Sequence, residues 1–285
     1  MLKQRVITAL IITAIFLAAL FLLPAGYFAF FMASVVLIGA WEWTSLSSVN
    51  HFAWRIGYCL LMALCLLLAS YFIGFSGEAT PELNLGAVQK LLVFGCSFWA
   101  IALLLVQGYP SSAILWGHRI IRLLMGLVVL TLTWVALVYV RQQANGHWLV
   151  ILLFLVVAVA DTGGYFAGRR FGKHKLALAV SPGKTWEGFA GGLIANIVLA
   201  LILTFSLHQP MGMVLAVLVP TSLISVLGDL FESMVKRHAG VKDSGTILPG
   251  HGGILDRVDG ITAGAPVFAL ALLVTGLFGT SGASG

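Results

Sequence analysis

Nine apolar stretches, each about as long as a bilayer core is thick, leave this chain one fold class. A hydrocarbon core of ~30 Å is crossed by about 20 helical residues. Runs of that kind lie at roughly 6–24, 26–46, 54–74, 91–108, 119–140, 147–168, 185–207, 211–231 and 260–279. Only 9% of the residues are charged, against about 25% in a soluble domain, so lipid must serve as the solvent. The runs are continuous rather than alternating, which argues against a β-barrel. The expectation is an all-α, polytopic integral membrane protein of about nine transmembrane helices, forming a single domain over 1–285. Residues 1–145 supply helices for fold and lipid contact, 146–279 form the catalytic half, and 280–285 are a flexible tail.

Lysine and arginine set the orientation. One side of the membrane receives Lys3, Arg5, Arg55, Arg119, Arg122, Arg169, Arg170, Lys173, Lys175, Lys184, Lys236, Arg237, Lys242 and Arg257, and the other only Lys90 and Arg141. The positive-inside rule then puts the N-terminus in the cytoplasm and the C-terminus outside, in the cell (inner) membrane. The run after Lys3 and Arg5 reaches Leu23 without a small-residue cleavage site, so it reads as a retained first span. The formal net charge of +6 is spread over loops between spans, which fits anionic lipid and ligands rather than nucleic acid. Cys59, Cys65 and Cys96 lie in apolar runs with no metal or redox spacing, and read as packing residues.

Carboxylates inside a membrane are costly and have a partner or a task. Asp161 lies in the sixth run and Asp229 near the end of the eighth, while Asp256 and Asp259 open the ninth from the same side. Their convergence just beneath the cytoplasmic headgroups would make an oxygen-rich site, the chemistry of Mg²⁺, Mn²⁺ or Ca²⁺ rather than zinc. The alternative is that each aspartate pairs with a nearby arginine and only holds helices together. Glu42, between Trp41 and Trp43, reads as an interfacial residue of an aromatic belt.

Two basic loops face those carboxylates. In the first, Ser181 followed by Pro182 reads as a helix N-cap and first helical residue, aiming backbone N–H groups, Lys184 and Thr185 at an anion. Gly183-Lys184-Thr185 is not a P-loop, because Leu178 stands where the leading glycine belongs. Setting topology accounts for Arg169, Arg170, Lys173 and Lys175, with anion binding as the alternative, but does poorly for Lys184 beside a helix start and Glu187. The second loop, Ser233 to Asp259, concentrates Lys236, Arg237, Lys242 and Arg257 against Asp243, Asp256 and Asp259. The cations suit a polyphosphate, and Gly252 and Gly253 would let backbone approach it closely. His251 reads either as a phosphate or proton-transfer partner or as an ordinary loop histidine.

These residues carry a resemblance. Ser233, Val235, Lys236, Arg237, Lys242, Asp243, Gly245, Leu248, Pro249, His251, Gly252, Gly253, Ile254, Asp256, Arg257, Val258 and Asp259, in this spacing, resemble the signature of the phosphatidate cytidylyltransferases, or CDP-diacylglycerol synthases. The likeness continues through Ser181-Pro182-Gly183-Lys184-Thr185-Trp186-Glu187-Gly188, Gly228-Asp229 and Asp161, whereas the first five spans match only in character. The resemblance implies the reaction CTP + phosphatidate → CDP-diacylglycerol + pyrophosphate, with Mg²⁺ and K⁺ as a candidate second ion. It also implies a homodimer with a site open to cytosol and lipid. By the same resemblance, Asp229 and Asp256 are metal ligands. Asp161, Lys184, Glu187, Lys236, Arg237, His251, Arg257 and Asp259 match other functional positions. Two alternatives stand: a cytidylyltransferase for another lipid phosphate, and a cation-coupled transporter using Asp161 and Asp229. A transporter places such groups at the midplane and often shows repeats; here charge crowds one face and no repeat is evident.

Overall fold

A computed structural model describes residues 2–78, 82–250 and 252–277; His251 and the 280–285 tail lie outside the described residues. The chain forms α1 (Leu2–Leu22), α2 (Ala25–Leu46), α3 (Phe52–Phe72), α4 (Leu85–Gln107), α5 (Ala113–Trp116), α6 (Arg119–Gln142) and α7 (Gly146–Phe171). A short hairpin, β1 (Lys175–Ala177) with β2 (Ser181–Thr185), precedes α8 (Trp186–Leu207), α9 (Met211–His238) and α10 (Leu255–Thr275). Among the described residues, α2, α3, α4 and α6 to α10 are long and apolar enough to cross a membrane, and α1 holds a shorter apolar stretch, Val6–Leu22. The protein is thus a polytopic all-α membrane protein, with the nine expected runs each on its own long helix.

Contacts at the helix ends sort the turns into two faces. At one end Thr8 Oγ1 donates to Pro249 O at 3.3 Å, Trp43 Nε1 to Arg122 O at 2.8 Å, and Arg122 Nη1 to Leu46 O at 2.6 Å. At the other, Arg141 Nη2 donates to Leu20 O and Leu23 O, at 3.2 and 2.9 Å, covering carbonyls that the end of α1 leaves without partners. The start of α1, the α2–α3 turn and the loop after α9 therefore share one end of the bundle. α6 runs through its middle and is buried without a break from Leu132 to Val140.

Two helix pairs come unusually close. On α7 and α8, glycines at four-residue spacing remove the side chains that would hold the backbones apart. A Cβ on Gly188 would stand 2.8 Å from Gly164 O, and one on Gly192 would strike Ala160 O. On α9, a Cβ at Gly228 would strike Asp259 O of α10. We expect Gly192→Leu to destabilise the protein by about 2 kcal/mol or more through overpacking, seen as a lower Tm in detergent. Gly212→Ala, where a Cβ meets nothing within 4 Å, should leave Tm unchanged.

Two sequence expectations are corrected. The Ser233–Asp259 segment is not all loop, because α9 continues to His238 and α10 begins at Leu255. Apolar runs stop where charge begins, but helical hydrogen bonding does not, and Lys236 pairs with Glu232 one turn below at 3.2 Å. Ser181 is not a helix cap: it sits in β2, opposite Ala177. Thr185 closes the hairpin against Lys175 and caps α8, its Oγ1 accepting from Gly188 N at 3.1 Å.

Candidate active site

Helical spacing gathers the polar residues. Asp229, Glu232, Ser233 and Lys236 recur every three or four residues and share one face of α9; Asp256 and Asp259 do so on the first turns of α10. Because Gly228 lets α10 approach so closely, these faces meet.

The hairpin leans over this surface and is anchored at three points. Arg237 Nε donates to Val180 O at 3.3 Å. Glu187 accepts from Lys173 N at 3.1 Å and from His174 N at 3.2 Å, and lies 2.6 Å from His174 Nδ1. Lys184 Nζ, near the end of β2 that leads into α8, reaches Asp229 Oδ2 at 2.6 Å, and Ser233 Oγ donates to Asp229 Oδ1 at 3.2 Å.

The Lys184–Asp229 pair lies in a cavity of about 510 Å³ whose wall includes Asp161, Tyr165 and Arg169 of α7 and Ser181 of β2. Asp161, Asp229 and Asp259 lie within electrostatic range of one another, with Lys184 facing the first two. Asp161, Asp229 and Asp259 bring carboxylate oxygens together here, with Lys184, Arg169 and, toward Asp259, Lys236 as the nearby cations. A second cavity of about 640 Å³ adjoins the first, sharing Leu176, Phe189 and Val226. Leu103, Leu223, Leu227 and Leu230 help make it apolar.

The other polar cluster lies deeper, at the start of α10. Lys236 Nζ is 2.7 Å from Asp256 Oδ1 and 3.2 Å from Glu232 Oε1, all three side chains being nearly buried. Asp256 Oδ2 accepts from Ser244 N, Ser244 Oγ and Gly253 N, at 2.9, 3.0 and 2.8 Å. Gly252 adopts φ +84°, and a Cβ there would sit 2.7 Å from Asp256 Oδ2, so only glycine fits.

The structure thus gathers Asp161, Ser181, Lys184 and Asp229 around the cavity, with Asp259 in electrostatic reach. It sets Lys236, Asp256, Gly252 and Gly253 in the adjoining cluster. Arg237 and Glu187 hold the hairpin, while Lys242 and Arg257 are exposed. Glu42 is a correction: it is no interfacial residue but 2% exposed, accepting from Ser244 Oγ, Ile254 N and Leu255 N. The sequence held a signal for it, an acidic residue within an apolar run. Glu232, three residues after Asp229 and four before Lys236, and Ser244 were also passed over.

Among the described residues no three His, Cys, Asp or Glu side chains are arranged to hold a metal unaided. Mg²⁺ in phosphate chemistry needs only one or two carboxylates, taking its other ligands from phosphates and water. The carboxylate oxygens of Asp161 and Asp229 on the cavity wall fit such an ion.

Known proteins are similar in sequence over most of the chain. A phosphatidate cytidylyltransferase of Pseudomonas aeruginosa is 43% identical over 279 residues, covering 97% of this chain and 98% of its own. One from Haemophilus influenzae is 41% identical, covering 94% and 98%, and one from Brucella suis 34%, covering 94% and 92%. The profile of the cytidylyltransferase family matches residues 3–275, from the first turn of α1 to the last of α10, and the chain belongs to that family.

Proposed function

We propose that this protein transfers CMP from CTP to phosphatidate, giving CDP-diacylglycerol and pyrophosphate. The observation that carries the reading is the pairing of a charged cavity with an apolar one through a shared wall, a shape suited to a substrate that is phosphate at one end and hydrocarbon at the other. A phosphatidate oxygen forms the new bond to the α-phosphorus of CTP, and the bond from that phosphorus to the bridging oxygen of the β-phosphate breaks. The attacking phosphate is already anionic at neutral pH, so no obligatory base is needed. Catalysis of this kind rests on positioning and electrostatics. Lys184 neutralises phosphate oxygens, the exposed Lys242 and Arg257 draw the nucleotide in, and the apolar cavity holds an acyl chain.

Mg²⁺ is the proposed cofactor, offsetting charge on the nucleotide phosphates and the leaving pyrophosphate. Asp229 would hold it. Asp256, in the adjoining cluster with Oδ1 on Lys236 and Oδ2 on three donors, would be its second carboxylate. The excess of cationic residues at the site's end of the bundle supports a cytoplasmic active site in the cell membrane. A homodimer completes the reading, on the resemblance alone.

The test is lipid-soluble cytidine label from purified protein, labelled CTP and Mg²⁺, with phosphatidate set against an isoprenoid phosphate. Transfer to phosphatidate alone, abolished by EDTA, is expected; transfer only to the isoprenoid would replace the substrate. Lys184→Ala should raise KM for CTP or phosphatidate about tenfold or more, since a charge-assisted contact contributes roughly 1.5–3 kcal/mol. Unchanged KM values would remove Lys184 from substrate binding.

A further inference from the structure

The buried carboxylate of Glu42 comes from α2, in the half of the chain that carries none of the motif residues, yet it ends inside the motif loop. Its partners define its job. Oε1 accepts from Ile254 N and Oε2 from Leu255 N, both at 2.9 Å. These are the first amides of α10, whose own N-cap residue, Ile254, supplies no side-chain hydrogen bond. Glu42 is therefore the cap of α10, delivered from another helix, with its negative charge at the positive end of the helix dipole.

Ser244 Oγ lies 3.2 Å from Glu42 Oε2 and 3.0 Å from Asp256 Oδ2, its single proton shared between the two carboxylates. One serine thus stands between Glu42 and Asp256. The loop glycines fit this grip as much as any ligand. A Cβ on Gly245 would lie 2.7 Å from Glu42 Oε1, and one on Gly253 would strike Ser244 Oγ. The bare backbone at both positions is what admits Glu42.

We propose that Glu42 is a positioning residue of the transferase: it caps α10, grips Ser244 and so sets the direction of Asp256 without touching substrate. The proposal rests on the cytidylyltransferase reading. It concerns the precision of the site, and misplacing a reacting group by about 1 Å costs on the order of 10²-fold in rate. A residue that merely stabilised the fold would change how much enzyme is active, not how fast each active molecule turns over.

The test uses full-length Glu42→Gln in detergent or liposomes. The amide keeps an acceptor for Ile254 N but offers an N–H to a second backbone N–H. We expect kcat per correctly folded molecule to fall about tenfold or more, with KM for CTP and for phosphatidate within about threefold of wild type. Ser244→Ala, alone and combined with Glu42→Gln, should show non-additive losses because both act through one hydroxyl. A Glu42→Gln enzyme with wild-type kcat overturns the proposal, as does a loss matched one for one by loss of folded protein. Fully multiplicative effects of the two substitutions overturn the route through Ser244. Wild-type protein assayed in parallel separates the two ideas: if it forms no CDP-diacylglycerol the functional reading fails, whereas normal wild-type turnover with an equally active Glu42→Gln sinks the positioning role alone.

Discussion

Asp229→Asn is expected to lower kcat by roughly two to three orders of magnitude, the usual effect of removing one preorganised electrostatic element from an active site. The substitution keeps the shape of the side chain and an acceptor for Ser233. It removes the charge that faces Lys184 at 2.6 Å and that would hold the magnesium ion. Lys184 would then meet the phosphates without its counter-charge, so substrate can still bind while the transition state loses its organised field. Initial rates of CDP-diacylglycerol formation on monodisperse protein, with Tm in parallel, check this. Activity within about tenfold of wild type would remove Asp229 from the metal role.

The second large effect is on stability. Lys236→Met should destabilise the protein by about 3–5 kcal/mol, the range seen when one partner of a buried ion pair is deleted. Lys236 serves two carboxylates, Asp256 at 2.7 Å and Glu232 at 3.2 Å, with side chains only 8% and 5% exposed. Methionine fills much the same space but leaves both acids facing each other without a cation, and Asp256 loses the group that fixes Oδ1. A Tm lower by about 10 °C is expected, on a scale of roughly 2–4 °C per kcal/mol. Adding Glu232→Gln should restore part of it by removing the less hydrogen-bonded acid. A Tm within about 2 °C of wild type would mean that water or lipid headgroups already serve these carboxylates.

The parts of this architecture legible in the sequence share a physical cause. Membrane spans are visible because lipid demands long apolar helices, and buried acids stand out because lipid penalises them. Asp161 and Asp229 stand out that way, whereas Asp256 and Asp259 belong to the Ser233–Asp259 segment, whose charge contrasts with its surroundings. What stayed hidden depends on partners far along the chain. Nothing local says that Lys184 reaches Asp229, or that Glu42 meets Leu255, 213 residues away. Flanking tryptophans made Glu42 look interfacial, because a belt residue and a buried cap at the same helix end have the same neighbours in sequence. Ser181-Pro182 has the local chemistry of a helix start, but pairing with Lys175–Ala177 satisfies that backbone as a strand and moves the cap to Thr185.

The most direct measurement follows both ends of one nucleotide. Purified protein in liposomes with phosphatidate and Mg²⁺ receives CTP carrying one label in cytosine and another in the γ-phosphate. If the charged cavity brings the lipid phosphate to the α-phosphorus, cytosine label enters the lipid phase and γ-label appears in aqueous pyrophosphate, one for one. γ-Label in lipid, or CTP consumed with no lipid product, would contradict the account.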